Sequence, residues 1–208
     1  MNRLRIAVAG AGTIGRAHID ALQGSPSCVL SAIVDPGLRQ RRSPITPTLD
    51  EGERRVAAAE AAHAKLLIGH HRAHSPIMAK AREVVGSGVL GRLVAVSGSA
   101  TFYKPDSYFN EAPWRREIGG GPILINMIHE VHNLRILCGE IVAVQAFASN
   151  ATRAFAVEDT VAINLRFAIR GEAVPLVGAR DGLANLRVTQ AIASAAKSGA
   201  IVELLESR

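Results

Sequence analysis

The stretch "RIAVAGAGTIGRAHIDAL", residues 5–22, leaves the start of this chain few folds to choose from. Ile6 to Ala9 is an apolar strand pattern, and it runs through Gly10-Ala11-Gly12-Thr13-Ile14-Gly15 into a helical period. Gly10 permits a tight turn, Gly12 lets backbone approach a pyrophosphate, and Gly15 lets the helix pack closely on the strand. The free amides at the helix start, around Thr13 and Ile14, then face the phosphates. A second strand, "CVLSAIVD", ends at Asp35, 20 residues after Gly15. A carboxylate there accepts from both ribose hydroxyls and repels a 2′-phosphate, so the segment reads as a dinucleotide site that takes NAD, with NADP as the alternative. The competing reading is a glycine turn in an unrelated α/β domain.

The residues after Asp35 do not continue that pattern. Thr48 and Glu51 have the Thr-x-x-Glu spacing of a capping box, so a helix is expected from Leu49 through "DEGERRVAAAEAAHAK". A strand "LLIGHH" follows, then a helix opened by Ser75 and Pro76 and closed by Gly86 and Gly88. "RLVAVSGSATF", "IVAVQAFAS" and "DTVAINLRF" all alternate like half-buried strands, the last with Val161, Ile163, Leu165 and Phe167 on one face. The first part therefore reads as strand–helix–strand units and the later part as a mostly antiparallel sheet with a few helices.

Composition narrows the function classes. The chain has 208 residues, enough for one domain or two small ones. No apolar run is long enough to span a membrane, so no membrane partner is expected. Cys28 and Cys138 lie far apart, which suits a reduced cytoplasmic setting and gives no zinc-like spacing. The net charge of +6 comes mostly from arginine, and the dense cluster Arg39, Arg41, Arg42 has no aromatics between its members. It reads as a solvated loop rather than a nucleic-acid surface.

The candidate chemistry lies in "WRREIGGGPILINMIHEVHNLRILCGE", residues 114–140. Three glycines precede a helix that should end at Gly139. Leu124, Met127, Ile128, Val131 and Leu134 form its expected apolar face, and Asn126, His129 and Asn133 a polar stripe. A histidine in that position is either a general acid or base or a core histidine bonded to a carbonyl. His70, His71 and His74, with His129 and His132, raise a metal-hydrolase alternative, but no carboxylate partner stands near in sequence except Glu130, so no metal is assigned.

With these residues in view, the chain resembles the Gfo/Idh/MocA family of nicotinamide-dependent oxidoreductases. The resemblance rests on "AVAGAGTIGRAHIDAL", "PITPTLDEGERRVAAAEAAHAKLLIGHHRAHSP", "GSGVLGRLVAVSG", "GGGPILINMIHEVHNLRILCGEI", "EDTVAINLRFA" and "LRVTQAIASAAKSG", in the family's order. It implies an incomplete Rossmann-like parallel sheet, residues 1–74, followed by an α+β open-sheet domain, residues 75–208, that carries substrate and oligomer contacts. It also implies a sugar, polyol or related hydroxy compound as substrate, NAD(P) as cofactor, and a homo-oligomer.

The same resemblance explains residues 35–52. Further strands and a Glu-Lys-Pro motif normally stand there, so this chain resembles a member with internal segments gone, the second seam lying in "RFAIRGEAVPLVGARDG". Pro44 is kept, but the catalytic lysine position holds Ser43 and the glutamate position Arg42. The family aspartate position holds Ile125, with Asn126 beside it, and His129 matches the family histidine. His71, Arg72 and Trp114 fall where the resemblance implies substrate contacts. Loss of the lysine and the aspartate lowers the expected turnover. The alternative is a non-catalytic remnant that serves as a nucleotide-binding or oligomerising module.

Overall fold

The computed structural model describes residues 3–9, 13–34, 48–168 and 178–204. The chain divides into two units, Met1–Arg42 and Ser43–Arg208.

The first unit is a strand–helix–strand. Strand β1 (Leu4–Ala9) pairs in parallel with β2 (Cys28–Val34), and helix α1 (Thr13–Gln23) makes the crossover. Parallel neighbours need such a crossover, because a tight turn cannot return the chain in the same direction. The register shifts between Ile6 and Ala7. Gly15 lies in the first turn of α1, whereas Gly10, Gly12 and Asp35 lie outside the described residues. No acidic side chain stands in that first turn to oppose an anion.

The second unit is built around a three-stranded antiparallel sheet of order β4-β3-β5, with β3 Ile141–Ser149, β4 Thr160–Phe167 and β5 Val202–Glu203. The alternation of Val161, Ile163, Leu165 and Phe167 turns that face toward the core, while the residues between them are exposed. Helix α6 (Ala179–Ser198) lies on β3 and buries Leu186, Val188, Ile192 and Ala195. Of these, Val188, Ile192 and Ala195 join Val131, Ile141, Val144 and Ala146 in the main core.

The helices before the sheet start where their caps dictate. Thr48 accepts from the Glu51 amide at 3.4 Å to open α2 (Leu49–Ala61), and Ser75 accepts from Met78 at 3.2 Å to open α3 (Pro76–Gly86). A short helix α4 (Asp106–Asn110) and a 3₁₀ turn (Pro113–Arg116) follow. Arg153 ties this segment down through Asp106 at 2.9 Å, with its guanidinium 4.6 Å from the Phe109 ring centre.

α2 and the segment beyond it pack on α6 and so fall in the second unit. Two strand expectations need correction. Arg187 bonds Glu53 at 2.7 Å, Arg180 lies 2.8 Å from Glu60, and Leu67 forms a bridge with Gly178. That bridge is the whole of the sheet pairing of "LLIGHH", so no strand forms there among the described residues. "RLVAVSGSATF" likewise carries no regular structure and is exposed along its length. Alternation favours a strand only where a neighbour supplies the ladder, and the sheet order leaves none for it.

Candidate active site

The helix that carries His129 does not begin as an α-helix. Residues Ile123–Met127 form a π turn, and α5 proper runs Ile128–Cys138. A π turn is wider and places side chains at a different angle per residue, so it resets which face the following residues present. The buried stripe of α5 is Ile128, Val131, His132, Arg135 and Ile136, at the i, i+3, i+4, i+7 and i+8 positions. Leu134, assigned to the apolar face on a uniform period, is only half-buried, and its place in the interior is taken by His132 and Arg135.

The helix entrance is held from the segment just before β4. Glu158 accepts from the Ile123 amide at 2.7 Å, which puts a carboxylate where the free amides of a helix start carry partial positive charge. Gly121 is required beside it, because a Cβ there would lie 2.4 Å from a Glu158 oxygen.

Arg135 is buried and doubly bonded to Glu140, at 2.9 and 2.7 Å. It also donates to the Asn185 carbonyl oxygen at 2.6 Å. A guanidinium has no acceptor, so this bond fixes the orientation of the Asn185 amide. The Asn185 NH₂ then faces His132 Nδ1 at 2.8 Å. His132 Nδ1 is therefore the acceptor, and the proton of the neutral ring sits on Nε2.

His132 stacks on His70, with ring centres 4.7 Å apart. His70 reaches it because Ile68 lies so close to α6 that a Cβ on Gly182 would come within 2.6 Å of it. His129 meets the edge of His70 at 5.7 Å and of His71 at 5.0 Å. Arg72 forms an ion pair with Glu130, and Asn133 donates to the other Glu130 oxygen at 3.3 Å.

Burial, followed by the mutual repulsion of the rings, holds these imidazoles neutral. His70 is lowered to about 3, chiefly by desolvation and then by His132. His129 is lowered to about 4 by desolvation, then by His71 and Arg72. His132 is also lowered, by desolvation and Arg135, against the opposing effects of Asp181 and the Asn185 bond. His70 Nε2, His129 Nδ1, His132 Nε2 and Asn133 Oδ1 are buried with no hydrogen-bond partner. Unpaired buried polar atoms are costly, so a cluster of four marks a place built for something polar.

Of the expected site residues, His71, Arg72 and His129 come together. Asn126 is half-buried in the π turn, with Ile125 beside it. Trp114 is half-buried in the 3₁₀ turn, where the Arg115 guanidinium lies 5.6 Å from its ring. Ser43 falls outside the described residues. Glu130, noted in the sequence only as the one nearby carboxylate, reaches the site through Arg72. Among the described residues no three His, Cys, Asp or Glu side chains converge as metal ligands, and no helix is long and apolar enough to cross a membrane. Asn185 and Arg135 were not singled out in the sequence: Arg135 lies inside the glycine-helix motif and Asn185 just before the last one, and nothing in their spacing marks them as partners of a histidine.

Comparison with known proteins gives this geometry a context. No curated protein sequence matches the chain significantly. Residues 78–174 match the GFO/IDH/MocA C-terminal domain. Among solved structures, the WlbA dehydrogenase of Bordetella pertussis, in complex with NADH and UDP-GlcNAcA, is similar with a TM-score of 0.81 and 18% identity, over 98% of this chain and 99% of that one. The WlbA dehydrogenase of Chromobacterium violaceum, with the same ligands, has a TM-score of 0.79 at 15% identity, over 100% and 98%. A myo-inositol dehydrogenase of Corynebacterium glutamicum has a TM-score of 0.66 at 16% identity, over 99% and 100%. Residues 78–174, with His129 among them, thus match the GFO/IDH/MocA C-terminal domain, and the chain as a whole has the fold of the solved WlbA dehydrogenases.

Proposed function

We propose that the chain is an oxidoreductase of the Gfo/Idh/MocA type that acts on a hydroxyl of a sugar, polyol or related compound with NAD. The observation that carries this reading is His129, whose buried Nδ1 has no protein partner and whose ring is neutral at physiological pH. A neutral imidazole in that state is ready to take a hydroxyl proton. Arg72 and Asn133 flank it with polar groups suited to other hydroxyls of such a substrate. The solved neighbours that hold NADH and UDP-GlcNAcA support the same substrate class.

The cofactor, when bound, supplies the hydride acceptor. Gly10, Gly12, Thr13, Ile14 and Gly15 would hold its pyrophosphate, and Asp35 its ribose. The described part of the first unit fits this: β1 and β2 are parallel neighbours, and α1 starts at Thr13 with no acid in its first turn. Asp35 should make NAD bind more tightly than NADP. Calorimetric titration of the chain with both tests this, and tighter binding of NADP overturns it. A homo-oligomer in the cytoplasm belongs to the same reading.

With Ser43 at the lysine position, the developing oxyanion lacks a charged donor, and loss of one such donor costs on the order of 10² to 10³ in rate. Slow formation of reduced nicotinamide with a panel of sugars, polyols and sugar acids, abolished by His129→Ala, is the expected result. A second reading, a non-catalytic nucleotide-binding or oligomerising module, is favoured by Ile125, an apolar side chain where the family has an acid. NAD binding with no turnover on any panel member decides for it.

A further inference from the structure

Besides the polar atoms around His129, two buried side-chain nitrogens have no hydrogen-bond partner among the described residues. They are the Nε of Arg115 and the Nε of Arg116, neighbours in the 3₁₀ turn Pro113–Arg116. A guanidinium cannot shed its charge, so a half-buried one needs an acceptor, and an anion serves it best. Arg72 meets Glu130, Arg135 meets Glu140 and Arg153 meets Asp106. Arg115 and Arg116 are half-buried too, yet their acceptors are neutral: Arg115 Nη1 donates to the Tyr108 carbonyl oxygen and Arg116 Nη2 to the Asn110 side chain. Neither forms an ion pair with a carboxylate among the described residues. The edge of Arg115 made by Nε and Nη2 therefore stands without an acceptor, and that edge takes a two-oxygen anion through parallel bonds.

The surroundings add charge. The Arg115 guanidinium lies 3.7 Å from the centre of the Tyr108 ring, and Lys104 Nζ lies 4.8 Å from the same ring, also without a carboxylate. Three cations without an acid suit a ligand group of more than one negative charge, which a phosphoryl group supplies. The turn is pressed against the glycine entrance of the helix that carries His129, where a Cβ on Gly120 would collide with the Trp114 carbonyl oxygen and lie 2.8 Å from the Arg115 Cα. From that entrance to His129 the helix rises on the order of 10 Å.

We propose that Arg115 and Arg116, with Lys104, bind a phosphoryl group, and that the hydroxy compound turned over at His129 is a phosphate-bearing sugar. The second clause rests on the dehydrogenase reading; the binding of phosphate does not. A sugar phosphate and a nucleoside-diphosphate sugar both carry the group, and the test separates them. The full chain is titrated calorimetrically with glucose, inorganic phosphate, glucose 6-phosphate and UDP-glucose. The three phosphate-bearing ligands should bind more tightly than glucose. Arg115→Lys and Arg116→Lys keep the charge but lose the fork, and each should weaken those three by on the order of tenfold while leaving glucose unchanged. Whichever of glucose 6-phosphate and UDP-glucose binds more tightly and loses more identifies the source. Equal binding in parent and variants places the phosphate elsewhere and overturns the site. The Nε–H signals of Arg115 and Arg116 in the unmodified ¹⁵N-labelled chain give a reading that needs no variant. They should shift with glucose 6-phosphate or UDP-glucose and not with glucose, and signals indifferent to both overturn the site as well. Phosphate binding with no turnover of any phosphate-bearing sugar sinks the dehydrogenase reading and leaves the site standing. Turnover of a neutral polyol with no phosphate binding does the reverse.

Discussion

Arg135 shows how one residue fixes the chemistry of others. Its side chain is 3% exposed, while that of Glu140 is 42% exposed, so the two ends of the same ion pair are unequal in worth. Arg135→Ala leaves the Asn185 and Asp181 oxygens without their donor and opens a cavity, at a cost of about 3 kcal/mol. Glu140→Ala strands the buried guanidinium with Asp181, 3.8 Å away, as a weaker counter-charge, and should cost more, about 3–5 kcal/mol. Urea denaturation of both variants checks the ordering. The histidines set the acid behaviour. His70, His129 and His132 all have folded-state pKa values below the ordinary 6.5. Above that pH neither state binds protons at these rings. Below it the unfolded chain takes up protons that the folded chain refuses, so stability falls as pH drops from 6.5 toward about 4 and levels off below about 3. Urea midpoints across this range should trace that slope, and His132→Gln should flatten it.

At the scale of elements, close approach is the recurring constraint. A Cβ on Gly182 would meet Ile68 at 2.6 Å. Alanine gains about 1 kcal/mol of helix propensity, but overpacking costs about 1–3 kcal/mol. Gly182→Ala should therefore be destabilising in thermal melts. The shift of Ile68 should also disturb the His70–His132 stack, which the ring-proton chemical shifts of both residues would register. The π turn is the other constraint. It lets Glu158 cap the helix entrance while α5 still delivers His129, His132 and Arg135 in phase with the core.

The whole molecule leaves apolar surface uncovered. Val94 is 85% exposed and Phe102 64%, within an extended segment that alternates like a strand. β4 lies at the edge of its sheet. Exposed edges and apolar alternation pair with other chains unless charge or cover prevents it. We expect light scattering to find a dimer or larger species at micromolar concentration, and Val94→Lys with Val96→Lys to shift it toward monomer. A wild-type monomer would count against the expectation.

Local chemistry made several elements legible in the sequence. Thr48 and Ser75 cap whichever helix follows them, and the apolar alternation of 160–167 has a sheet partner in β3. The apolar run before Gly10 and the helical period from Thr13 announce β1 and α1. His129 could be singled out by its place on a helix after three glycines. What surrounds His129 was decided elsewhere. Arg72 and Glu130 are 58 residues apart, and Asn185 and His132 are 53 apart, so their bonds exist only once α5, α6 and the turn at His71–His74 (a 3₁₀ turn) pack together. The segment 92–102 failed as a strand because alternation is a request for a neighbour, which tertiary structure grants or withholds. The neutrality of the histidines is of the same kind, since desolvation is a property of a packed interior and of no residue alone.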